Sequence, residues 1–331
     1  MSAFRRLLYF ACFLAAPAFA ADTPLTATIS ADKSSVEFRA GTDMVTRYHT
    51  GKDVAKPYFY PVLTPGGVPV TRAWPLEGQP KPTKDHVHQK SAWFCHGDVI
   101  PEGVKVAPSS DKHVKGVDTW SEGKGHGVIL CYDVLPVKDD PAAVVTRNHW
   151  NDSEGTTIAD EVRTIRLRSV AGGRLLVIDT DLCAIVSPLT FGDTKEGSLG
   201  VRVNDQIRLD AKGEKNRLTN SNGESGEKEC WGMLADWCDY SGEIDGKLAG
   251  IAIFDDPANK YRACWHSRGY GLMAANPFGR NGSGFPAMKG REDLVKLAQG
   301  EHLKLRYGIF LHDGDVKSGK VAEAFAEFTR K

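Results

Sequence analysis

The sequence predicts an all-β protein, a large antiparallel β-sandwich with a short C-terminal helix. Three observations predict it. Short runs in which apolar and polar residues trade places every second position recur from residue 25 to residue 312, bounded by Gly, Pro, Asn and Asp. Strand–helix alternation is missing, as are a G-x-G-x-x-G fingerprint and a P-loop, which disfavours a nucleotide-binding α/β fold. Only residues 319–329 carry a convincing helical stripe, with Val321, Ala324, Phe325 and Phe328 on one face and Ser318 placed as a cap.

The chain opens with Arg5-Arg6, an apolar run to Phe19 and an A-x-A site at residues 18–20. These are the parts of a secretory signal peptide. Residues 1–20 are therefore expected to be removed, and residues 21–331 to form one periplasmic or secreted domain. The apolar run is short for a membrane span, and nothing after it resembles one. Strands are expected over 25–29, 35–39, 57–63 and 68–72, with a Pro-Gly-Gly turn at 65–67. Residues 75–84 and 101–127 read as polar loops, the second containing His113, Trp120 and His126. Longer strands follow over 127–137 and 157–170, the latter setting Ile158, Val162, Ile165 and Leu167 against Glu161, Arg163, Arg166 and Arg168. Ala171-Gly172-Gly173 turns the chain into 174–186, and the pattern continues over 191–203, 248–255 and 302–312. Residues 293–299 fit either helix or strand.

Lys+Arg and Asp+Glu balance at 42 each, and no basic run stands out, so neither nucleic acid nor an anionic membrane is an expected partner. Six cysteines follow the leader, and Cys230 with Cys238 is the most local pair for a disulfide in an oxidising compartment. The paired C-x-x-C spacing of a structural zinc site is absent.

Chemistry concentrates in residues 84–98, where Asp85, His86, His88, Trp93 and His96 fall close together. If the backbone is extended at His86 and His88, their i, i+2 spacing puts both rings on one side, able to share a metal, a proton or a sugar's hydroxyls. The competing reading is a polar strand entrance whose histidines bond to backbone carbonyls. Residues 192–200 set Lys195 and Glu196 between glycines, which let a backbone approach a ligand closely. Glu196 is a candidate general base, with Lys195 or Arg202 holding its charge. Trp237, Asp239 and Tyr240 belong to a run of the aromatic and carboxylate types common in sugar sites. In extended form His266, Arg268 and Tyr270 share a face.

Four motifs in order, D-H-V-H-Q-K-S-A-W-F-C-H-G-D, G-D-T-K-E-G-S-L-G-V-R-V, W-C-D-Y-S-G-x-x-D-G-K-x-x-G-I-A-I-F-D and W-H-S-R-x-Y-G-L-x-A-A-N-P-F-G, resemble the bacterial family of unknown function often labelled "methane oxygenase PmoA". The resemblance spans residues 25–314. Val87, Gln89 and Lys90 depart from that family's D-H-P-H-H-R opening. A true methane monooxygenase subunit of that name is an integral membrane protein, and this chain lacks its spanning helices. The resemblance implies a β-supersandwich similar to galactose mutarotase and a place among exported sugar-degrading proteins. Mutarotases pair a His acid with a Glu base, which here implies His88 or His266 with Glu196.

The expected function is an exported carbohydrate-active hydrolase, lyase or epimerase acting on a sugar or oligosaccharide without a cofactor. Glu196, His88 and His266 are its catalytic candidates. Arg202 and Arg268 are expected to stabilise charge, Trp93 or Tyr270 to stack on a ring, and His86, His96, Lys195 and Asp239 to add contacts. Two alternatives stand beside it: a divalent-metal enzyme using His86 and His88, and a non-catalytic glycan-binding module. A cupin is excluded, since Ala92 and Trp93 occupy the positions of its next ligand.

Overall fold

A computed structural model describes residues 23–78, 84–211 and 213–330. The expected signal peptide lies outside the described residues. Two eight-stranded antiparallel sheets dominate. The first runs, in spatial order, Leu25–Ile29, Ser35–Ala40, Asp43–His49, Tyr58–Val62, Ala92–His96, Gly197–Arg202, Leu272–Asn276 and Cys264–Arg268. The second runs Arg217–Asn220, Trp237–Ile244, Lys247–Asp255, His302–Asp313, Gly173–Ala184, Thr157–Val170, Asp140–Asn151 and Val128–Val137. Inward residues of both sheets, among them Val36, Phe94, Leu199, Ile165, Ile178 and Ile309, form one apolar core. A small third sheet joins Val295–Leu297, Leu189–Phe191 and Val99–Pro101. The all-β antiparallel class is therefore correct.

Alternation explains most of this. In Thr157–Val170, Ile165 and Leu167 are fully buried while Thr164, Arg166 and Arg168 face outward. Near its start the expectation fails: Glu161 and Arg163 point inward and Val162 is 44% exposed. The reason is mutual satisfaction. Arg163 Nε donates to Glu161 Oε1 at 2.7 Å, and Trp150 Nε1 and Thr180 Oγ1 donate to the same carboxylate. Buried charges persist when paired and hydrogen-bonded in this way.

The C-terminal helix Val321–Phe328 covers a second apolar cluster with Phe254 and Phe310 on the outer face of the second sheet. Ser318 does not cap it. Lys320 holds the cap position with φ +57°, and Ser318 Oγ donates to Asp315 instead. Residues 295–297 resolve as strand, and the run 191–203 breaks in two around the loop that carries Glu196. The six cysteines among the described residues are free thiols, Cys238 hydrogen-bonded to Cys230 in the interior.

Candidate functional site

The site is a pocket of about 240 Å³ beside the central strands Ala92–His96 and Gly197–Arg202 of the first sheet. Its lining comes from the turn before Ala92–His96, the loop before Gly197–Arg202, residues 111–121, and Gly97, Asp98 and Tyr270. Close backbone approach holds the second of these in place. A Cβ on Gly197 would lie 2.4 Å from His96 Nδ1, and one on Gly97 would lie 2.8 Å from Glu196 Cβ.

The histidine turn is fastened from below. Arg72 and Arg202, both fully buried, converge on Asp85: Arg72 Nη1 donates at 2.9 Å and Arg202 Nη2 at 2.9 and 3.0 Å to its two oxygens. Arg72 also donates to the carbonyls of His86 and Gln89, and Arg202 to the Gln89 side chain. Burial works to raise the Asp85 pKa, but the hydrogen bond from His86 and the two guanidinium ions hold it well below the carboxylate range. With the turn held this way the backbone is not extended. His86 has φ +44°, and its ring stands perpendicular to that of His88 with centroids 5.8 Å apart. The expected side-by-side pair is therefore replaced by an edge-to-face one. His86 Nδ1 is engaged by Asp85 at 2.8 Å, and its ring stacks on Tyr270, which also lies over the Arg202 guanidinium. Among the described residues no group of three or more His, Cys, Asp and Glu is arranged to hold a metal ion.

The lining includes Asp98, Asp111, Asp118, Asp193 and Glu196, and among the described residues no Lys or Arg. Four of these acids are committed to the loops. Asp98 accepts from the N–H groups of Lys115 and Gly116, Asp118 from those of Trp120 and Ser121, and Asp193 from those of Arg280 and Ser283. Asp111 takes the backbone and ring N–H of His113. Only the Glu196 carboxylate accepts no hydrogen bond among the described residues; His266 Nδ1 lies 4.0 Å from it. Burial pushes its pKa up to about 7.

His88 and His266 are neutral at pH 7. Burial, with Lys56 and His86 adding, draws His88 down to about 3, and burial draws His266 down to about 3. His266 Nδ1 donates to the Lys195 carbonyl at 2.8 Å, which fixes the tautomer and leaves Nε2 an acceptor. Its ring lies against Trp120 and Trp231 behind the pocket wall.

A family model described as a family of unknown function, DUF6807, matches residues 35–326. The chain belongs to that family. No curated protein matches it. Among solved structures the chain is similar to a galactose mutarotase-like protein from Lactobacillus casei, at 13% identity and a TM-score of 0.37, over 87% of this chain and 100% of that one.

Of the residues expected at the site, this family member brings together His86, His88, Glu196 and Tyr270 in the pocket lining, with His266 behind it. Others are elsewhere. Trp93 and His96 are sealed in the core. Trp93 packs edge-on to Trp120, and His96, lowered to about 4 by burial, bonds to the Gly192 carbonyl between Phe191 and Phe278. They face inward because Ala92–His96 is a central strand buried on both sides. Arg202 is a buried brace for Asp85 and does not reach the pocket. Lys195 offers its carbonyl to His266 while its side chain is exposed. Arg268 is spent on Trp231 and Glu227. Asp239 lies in the second sheet, fully buried against His312 at 2.8 Å, far in the fold from the others. Sequence reasoning missed Arg72 and Asp193, whose partners lie in other segments, and Asp118, whose partners Trp120, Ser121 and His126 lie in its own loop. The polar character of residues 101–127 was the one available signal for Asp118.

Proposed function

We propose that the protein is an exported carbohydrate-active enzyme in which Glu196 carries a proton to and from a neutral sugar. The observation that supports it is the one uncommitted carboxyl of the pocket, poised near pH 7 where a general acid–base group works in both directions. Neutral His88 and the acids around it suit hydroxyl groups, and the face of His86 turned away from Tyr270 offers a flat surface for a pyranose. A pocket smaller than the usual 300–1,000 Å³ or so accommodates one sugar ring.

The His roles differ from those expected at first. Rings with pKa values near 3 hold no imidazolium proton at neutral pH, so His88 and His266 serve as hydrogen-bonding partners and not as the acid. Two-carboxylate glycoside hydrolysis needs a second available acid, and the neighbouring Asp side chains are bound to backbone N–H groups. Epimerisation or elimination, driven by proton transfer at one position, fits better. The test is NMR of neutral monosaccharides and disaccharides in D₂O with the parent and Glu196→Gln. Interconversion of anomers above the buffer rate, or solvent deuterium entering a carbon beside a keto group, with a loss of about 10²–10⁴-fold in the variant, is the expected result. Undiminished turnover by the variant removes Glu196 from the mechanism. Saturable binding without any product, surviving Glu196→Gln, would make the protein a glycan-binding module instead.

A further inference from the structure

The polar loop over residues 101–127 contains a series of side chains that the proton-transfer site does not use. Ser110 Oγ lies 2.8 Å from His126 Nε2, and His126 Nδ1 lies 3.0 Å from Asp118 Oδ2. Asp118 is 5% exposed, and its other oxygen accepts from the N–H groups of Trp120 and Ser121 at 2.7 and 3.1 Å. A carboxylate so fixed can only accept from His126. It therefore holds the imidazole proton on Nδ1 and leaves Nε2 to take the proton of the serine hydroxyl. Ser110 itself is exposed and open to a substrate.

From this we infer that Ser110, His126 and Asp118 act as nucleophile, base and orienting acid in cleaving an acyl ester of a hydroxyl-rich alcohol. The recognition element is the adjoining pocket, since Asp118 lines it together with Asp111 and Ser121. Ser110 Oγ attacks the ester carbonyl as His126 Nε2 takes its proton. The bond to the alcohol oxygen breaks, and the alcohol leaves with that proton. Water then adds to the acyl-serine, giving a proton to His126. The bond from Oγ to the acyl carbon breaks, Ser110 regains the proton, and a carboxylic acid departs. Water is the sole co-reactant.

The loop segment packed on the nucleophile carries unspent backbone N–H groups that an oxyanion could use. Gly125, at φ +82°, packs so closely that a Cβ there would lie 3.1 Å from Ser110 N. The N–H groups of Lys124 and Gly125 have no acceptor among the described residues.

The experiment treats the full chain with a fluorophosphonate label and, separately, with 4-nitrophenyl acetate. One adduct per chain, mapped by mass spectrometry to the peptide containing Ser110, is expected. It disappears in Ser110→Ala, and hydrolysis of the acetate falls by about 10²-fold or more in Ser110→Ala and His126→Ala. Ser110 is on the surface, so its alanine variant keeps the parent melting temperature, which separates loss of chemistry from loss of fold. An unlabelled parent chain, an adduct that persists in Ser110→Ala, or acetate hydrolysis unchanged by both substitutions overturns the assignment.

Discussion

Replacing Glu196 by Gln changes how stability depends on pH. The carboxyl binds its proton at about 7 in the folded chain against an ordinary 4.5, because burial favours the neutral acid. Between those values the folded state holds more proton than the unfolded state, so this residue's effect is to lower stability as pH rises through the window. Below it both states are protonated and nothing is lost; above it the full cost is present. At about 1.4 kcal/mol per pH unit the difference corresponds to roughly 3 kcal/mol. Water reaches the side chain, which is 31% exposed, so roughly 1–2 kcal/mol is expected at the top of the window. The Gln amide carries no such dependence, and other titrating groups cancel when variant is compared with parent. Thermal melts of both proteins from about pH 4 to about pH 8.5 should diverge, the variant gaining about 2–6 °C over the parent above pH 7. A difference that is flat across the window, or that grows in the parent's favour, refutes the reasoning.

Three more outcomes are expected. Asp85→Asn leaves two buried guanidinium ions without their anion, so urea unfolding should show a loss of about 3 kcal/mol, and sugar binding should weaken as the histidine turn loosens. Gly197→Ala drives a methyl into His96 Nδ1, and a destabilisation of about 1–3 kcal/mol should appear as a lower denaturation midpoint. Asp239→Ala strips the buried His312 of its partner, costing roughly 1–3 kcal/mol by denaturant titration while turnover at the pocket stays at the parent level.

Sheet membership was legible because a two-residue period reports which face of a strand is wet. Residues 163–168, 178–184 and 302–307 follow that rule closely, while 175–178 and 307–312 are buried throughout. It misleads at Glu161 and Arg163, where two charges satisfy each other and replace apolar residues in the interior. Among site residues, Glu196 was visible from its glycine frame, since a side chain on Gly97 or Gly197 would not fit. Trp93 and His96 looked like ligand contacts because local alternation cannot tell a solvated face from one covered by a second layer. Arg72 gave no local signal. Its importance comes entirely from a turn that reaches it through Asp85, 13 residues later. The membership of residues 101–127 in the pocket was likewise a matter of tertiary packing.

The absence of lysine and arginine from the described pocket lining, beside five acids, has a consequence for inhibitors. On the proposed function, ionised carboxylates in this lining would repel uronates and sugar phosphates and favour a protonated iminosugar, which would pair with ionised Glu196. Such cations should grip more firmly in mildly alkaline buffer than in acid, and added salt should loosen them.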